Sequence, residues 1–222
     1  ANQNNVESIF FLGNIYSKSD SIYQNVNKAI YYYSLAADLN HSESQFILAT
    51  IYIEGEIIQR DINKAIHYYS MAAKQDNCHA LYHLGVIYSS NKYDQRDIHK
   101  AIHYLTLAAN LDYPNAQNTL GNIYLDEEKP IKNIDKAFYY YKLAANHNFR
   151  DSLFNLGLLY SDGEYVDRDI KKAIHYYLLA ANQNSVQAQY NLGVIYYKGI
   201  DVERNTDKAI HYLTLAANQN FR

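Results

Sequence analysis

The chain has 222 residues, a formal net charge of −3 and 48% hydrophobic residues, which exclude wholesale disorder and the electrostatic footprint of a nucleic-acid or anionic-membrane binder. Only 8 Gly and 2 Pro against 25 Tyr speak against a turn-rich sandwich or barrel and for long helices. The single cysteine, Cys78, excludes an intrachain disulfide and suits a reducing, cytoplasmic compartment. No apolar run reaches the roughly 18 residues of a membrane span, and the start carries neither a signal peptide nor an initiator Met.

A strict period organises the chain. Leu12-Gly13-Asn14-Ile15-Tyr16 returns as Leu48-Ala49-Thr50-Ile51-Tyr52, then from Leu84, Leu120, Leu156 and Leu192, always 36 residues on. Lys28-Ala29 recurs from Lys64, Lys100, Lys136, Lys172 and Lys208 in the same register, and so does the pair Ala36-Ala37. Each copy predicts two helices. In residues 41–76, Ser44, Leu48, Ile51 and Tyr52 form one apolar stripe, on helix A, with small Ala49 (Gly in five copies) letting a neighbour come close. A polar loop with Gly55 follows. Asp61, whose counterparts are only Asn or Asp, reads as the N-cap of helix B. Ala65, Tyr68, Tyr69, Ala72 and Ala73 form the stripe of helix B. The Asn or Asp that follows, at positions 4, 40, 76, 112, 148, 184 and 220, reads as a left-handed C′ residue. Pro114 suits the first turn of a helix A. The tyrosines at the positions of Tyr16 and Tyr32 read as core with a hydroxyl at the rim.

The repeats run 5–40, 41–76, 77–112, 113–148, 149–184 and 185–220 in one array, with 1–4 ending a preceding repeat and 221–222 opening another. No polar capping helix stands at either end, so a window on a longer array and end-to-end self-association are expected.

The pattern small-x3-Leu-Gly-x2-Tyr, then Asp/Asn-x2-Lys-Ala-x2-Tyr-Tyr-x2-Ala-Ala, resembles the Sel1-like repeat, a relative of the tetratricopeptide repeat, over the whole chain. The departures are Tyr for the family's Trp in helix B (Tyr32, Tyr68, Tyr104, Tyr140, Tyr176, Tyr212), Asn or Asp for Gly after helix B, and Ser19, Asn91 and Glu127 for the loop Gly. Altered A–B loops are therefore expected in repeats one, three and four. The resemblance implies an all-α fold: a right-handed superhelical α-solenoid of six helix-turn-helix repeats, with helix A lining the concave side. It also implies an adaptor without chemistry of its own.

The open face of helix A then carries Asn14, Phe46, Tyr82, His83, Asn118, Asn122, Phe154, Asn155, Tyr190 and Asn191. Asn amides can both donate to and accept from a peptide backbone, and aromatics can anchor it; the bland alternative is packing against the next repeat. His79 and His83 have the i, i+4 spacing of a metal pair, near Cys78, but no third ligand is evident, so solvated histidines are expected. His67, His103, His175 and His211 share one outward position on helix B, where a pH-sensitive stripe is the rival to plain solvation. The Lys28 series sits three residues after an N-cap, where the helix dipole disfavours cations. Its stem is expected to cover the neighbouring helix while its ammonium bonds a carbonyl or acid of the A–B loop; a basic ligand ladder is the alternative. No phosphate loop, nucleophile elbow or paired carboxylates appear, so neither an enzyme nor a cofactor is expected. The expected function is a protein-interaction scaffold that holds an extended segment or helix of a partner in the concave groove. An architectural spacer in a large assembly, such as a cytoskeletal one, is the alternative.

Overall fold

The computed structural model describes residues 3–18, 24–56, 58–126 and 131–219. Among them are twelve α-helices and no strand. They divide into two compact units, 1–112 and 113–222. The first holds α1 (Gln3–Ser17), α2 (Val26–Asp38), α3 (Ser42–Glu54), α4 (Ile62–Ala73), α5 (Cys78–Ser89) and α6 (Ile98–Asn110). The second holds α7 (Pro114–Leu125), α8 (Ile134–Asn146), α9 (Arg150–Asp162), α10 (Ile170–Ala181), α11 (Val186–Lys198) and α12 (Thr206–Gln219). Within each unit helices pack on their neighbours in sequence, and α9 also touches α11. Odd helices are helix A and even helices helix B of successive repeats.

Side chains of the predicted type cap the start of each helix B. The oxygens of Asn25, Asp61, Asp97, Asn133 and Asp169 accept from the N–H three residues on, and Asn205 does the same for Lys208. Asn40, Asp76, Asp112, Asn148 and Asn184 are left-handed, with φ of 56–65°. Behind them the alanine pair receives the chain: Asn40 N–H donates to Ala37 O and His41 N–H to Ala36 O. Asn4, expected in that conformation too, instead lies inside α1, because no helix B precedes it among the described residues. Asn220 and residues 221–222 lie outside the described residues, as do Ser19 and Glu127. In repeat three the loop does differ: Ser90 ends α5 in an extended conformation, where Gly55, Gly163 and Gly199 end their helices at φ of 65–71°.

The core alternates small and large. Tyr69, Tyr141 and Tyr177 are almost wholly buried, as are Leu48, Leu84, Leu120, Leu156 and Leu192. Each buried tyrosine of helix B presses on the small residue of helix A; a Cβ on Gly157 would come within 2.5 Å of the Tyr177 ring. The fully buried aromatic is thus the second of the Tyr-Tyr pair. The first is half-buried and stacks on the helix A tyrosine in all six repeats, as Tyr52 does on Tyr68 at 5.9 Å and 7°.

This stack also settles the lysine. In every repeat the N-cap N–H donates to the carbonyl of that helix A tyrosine, as Asp61 does to Tyr52 at 3.0 Å. The lysine three residues on is thereby set over the ring, with its ammonium 4.9–5.3 Å from the centroid in all six copies. The expected loop acid exists only where the N-cap is Asp: Lys64, Lys100 and Lys172 reach Asp61, Asp97 and Asp169 at 3.9, 3.7 and 3.1 Å. The main partner is therefore a π face, a correction to the carbonyl or acid expected from sequence.

Candidate interaction surfaces

The first unit engages its helix A candidates largely with its own core. Asn14 Oδ1 accepts from the buried Tyr33 hydroxyl at 2.8 Å. Phe46 lies 5.8 Å from the Tyr69 ring and 5.6–5.7 Å from the His79 and His83 rings. His83 stacks flat on Tyr69 at 5.2 Å, and Tyr82 meets it edge-on. Burial, helped by His79, holds the His83 imidazole below its ordinary pKa. Among the described residues no three His, Cys, Asp or Glu side chains come together as a metal site. The outer His67, His103, His175 and His211 are exposed, each edge-on to the tyrosine that follows it.

The second unit brings its candidates together. Asn155 Nδ2 donates to both Asn118 Oδ1 and Asn122 Oδ1 at 3.3 Å, while Asn118 also accepts from Ser152 and Asn122 from the Tyr141 hydroxyl. The result is an amide row in which the oxygens of Asn118 and Asn122 are spent and their Nδ2 groups donate to no described residue. Beside it Phe154, Tyr190 and Asn191 line a cavity of about 610 Å³ with Leu158, Leu213 and Ala217, and no charged residue borders it among the described residues. Tyr190 is 56% exposed, and among the candidates only it and Asn122 are exposed. Phe154 shares itself with the core, 5.9 Å from the Tyr177 ring.

The sequence profile of the Sel1 repeat matches residues 6–41, 42–77, 78–113, 114–149, 150–185 and 186–221. The chain belongs to the Sel1 repeat family. Its fold is an all-α solenoid of six helix-turn-helix Sel1 repeats. The structure is similar to c5321, described as a protective antigen present in uropathogenic Escherichia coli strains and displaying an SLR fold. That likeness has 23% identity and a TM-score of 0.89 over 98% of this chain and 46% of that one. It is also similar to a Sel1 repeat protein from Oxalobacter formigenes, with 26% identity and a TM-score of 0.84 over 96% and 62%. The immunity protein PA5088 from Pseudomonas aeruginosa matches at 20% identity and a TM-score of 0.57 over 97% and 82%. The chain thus spans about half to three-fifths of the first two. No curated protein matches it. Sel1 repeat proteins generally mediate protein–protein interaction and are typically non-catalytic.

Two features of these Sel1 repeats escaped the sequence reading. One is a buried glutamine on helix A. Gln45 Nε2 donates to Ala37 O and its Oε1 accepts from Gln75; Gln189 does the same with Ala181 and Gln219. The position alternates Gln45, Leu81, Gln117, Leu153, Gln189, which a hydropathy pattern scores as half-polar surface. The other is an arginine five residues after each loop glycine. Arg60 Nε donates to Ile53 O and Arg168 Nε to Ser161 O, tying off the end of helix A. Their pairing with Gly55 and Gly163 was legible, since Gly199 is likewise followed by Arg204.

Proposed function

We propose that the chain is a non-catalytic scaffold that holds a segment of a partner protein in a concave groove lined by helix A of each repeat. The observation that carries this reading is the second unit's cavity beside the amide row, whose described lining carries no charge. The cavity offers an apolar socket to an anchor side chain. The neighbouring Asn118 and Asn122 Nδ2 groups can donate to a peptide backbone. A cytoplasmic location belongs to the same proposal, as does association of two copies through the apolar ends of the array. Phe46 and His83 contribute less, since each packs its ring on the buried Tyr69.

The test is capture of partners from the host's lysate by the intact chain and by a variant carrying Asn155→Ala, Tyr190→Ala and Asn191→Ala, both checked for equal helicity and Tm. The expected outcome is loss of the captured proteins with the variant. Unchanged capture would assign binding to the rims or ends, as a spacer would use them, and overturn the groove reading.

A further inference from the structure

The first unit holds another cavity, with charged groups in an otherwise largely apolar wall, that the sequence reading did not foresee. It measures about 280 Å³; Glu54, Arg60 and Lys92 line it with Thr50, His83 and Tyr93, beside Tyr69 and the apolar Ile53, Val86 and Ile87. Arg60 is anchored at its rim: Nε donates to Ile53 O at 2.8 Å and Nη2 to Glu54 O at 3.3 Å. No carboxylate pairs with Arg60 or with Lys92 among the described residues; the Lys92 ammonium lies 5.7 Å from the Tyr93 ring centroid.

The chain contains its own comparison, three repeats on. Arg168 stands at the Arg60 position and caps helix A in the same way, with Nε on Ser161 O at 3.0 Å. There, however, the next repeat supplies an acid: Asp201 Oδ2 meets Arg168 Nη2 at 2.7 Å. Asp201 adopts a left-handed φ of 62°, one of the conformations a non-glycine residue takes seldom. The counterpart of Asp201 is Tyr93, and the counterpart of Ile200 is Lys92. In the first unit the acid is thus replaced by a ring, and a second cation is added beside it. Arg60 and Lys92 against Glu54 leave the cavity wall with a surplus of one positive charge.

We propose that this cavity binds a carboxylate of the partner segment, seated as Asp201 is seated beside Arg168. The inference rests on the scaffold reading and says what that partner must carry: a free chain end or an Asp or Glu side chain. A monovalent carboxylate matches the surplus charge, and the planar fork of Arg60 suits its two oxygens. Thr50 and the Tyr69 hydroxyl line the same cavity but are bonded to each other at 3.1 Å, with Thr50 Oγ1 donating to Phe46 O, so the two cations carry the recognition.

The test uses the intact chain, with three blocked tripeptides followed by NMR at constant ionic strength. Acetyl-Gly-Leu-Gly with a free terminus offers the chain-end carboxylate, and acetyl-Gly-Glu-Gly-amide the side-chain one. Acetyl-Gly-Leu-Gly-amide is the uncharged control. A carboxylate peptide is expected to shift the Arg60 Nε–H and the Tyr93 amide in a saturating way and to leave Arg168 unmoved. Whichever carboxylate peptide does so identifies the source. Tyr93→Asp, which provides the acid in cis, is expected to weaken that binding about tenfold or more, as is Arg60→Gln. Tyr93→Asp leaves the helix cap intact and so guards against a folding artefact. Equal shifts from the uncharged control, no shifts from either acid, or equal response at Arg168 would each overturn the proposal. None depends on Asn155, Tyr190 or Asn191, so a failure here is distinct from a failure of the groove reading.

Discussion

A few polar atoms on each repeat decide where helices begin and how far they survive changes of pH. Removing one N-cap side chain, as in Asn133→Ala, is expected to cost about 1 kcal/mol in urea denaturation. Where the cap is Asp97 or Asp169, the backbone N–H of Lys100 or Lys172 holds the carboxyl below its ordinary value, with the nearby ammonium helping. A depressed folded pKa contributes stability above the unfolded value of 3.8, and that contribution is lost as pH falls through the folded one. The double variant Asp97→Asn, Asp169→Asn keeps both acceptors without the charge. It should therefore lose less stability than the parent between about pH 5 and 2, and an equal loss would contradict this account. At the other extreme, burial pushes the Tyr69 and Tyr177 hydroxyls up to about 12. Their contribution is intact below the ordinary 10.0 and is lost as pH rises from there through about 12. Tyr69→Phe should cost about 1 kcal/mol near neutrality, through the lost bond to Thr50, yet flatten the alkaline fall in stability. A pH titration of Tm reads both effects.

Two tiers of aromatic packing join the two helices of a repeat. The inner tier is the Tyr or Leu of helix B against the Gly, or Ala49, of helix A; the outer is the Lys–Tyr–Tyr stack beside the N-cap. In the inner tier, Ala49 faces the fully buried Tyr69, so one methyl fits with a small adjustment. Gly157→Ala should consequently cost no more than about 1 kcal/mol, since the Tyr177 ring must shift as Tyr69 has for Ala49 while helix propensity improves. Gly157→Val adds two more methyl groups against a ring with nowhere to go and is expected to cost about 1–3 kcal/mol. Chemical denaturation of the two variants separates the cases; similar values for both would mean that the helices are not in tight contact there. The outer tier is half-exposed, so Lys136→Gln should cost only about 0.5–1 kcal/mol.

At the scale of the chain, stability is a sum of repeat terms and nearest-neighbour interfaces. The buried clusters show it: Ala49, Tyr69 and Ala72 of repeat two pack with Ala80 and Leu84 of repeat three, and Tyr177 and Ala180 of repeat five with Ala188 and Leu192 of repeat six. Damage should then stay local. In native-state hydrogen exchange, Gly157→Val is expected to speed exchange of core amides in residues 150–198 while Leu48 and Leu84 keep their protection. A uniform loss across both units would point to a single cooperative block.

The architecture was legible in the sequence because its determinants are local and occur six times over. A 36-residue register, an Asn or Asp at each cap and an alanine pair at each turn act within a few residues and need no distant contact. The candidate surface was legible only as a set of positions. Which asparagines keep donors to offer, and which aromatics are drawn into the core, depends on partners 14 to 37 residues away: Asn14 with Tyr33, Asn155 with Asn118, His83 with Tyr69. The same holds for Lys28, whose ring partner stands beside it only because a backbone hydrogen bond folds the loop back, and for Arg60, whose missing acid is visible only next to Arg168. Helix caps and apolar stripes follow from chain-local preference; hydrogen-bond spending and charge balance belong to surfaces that exist once repeats have stacked.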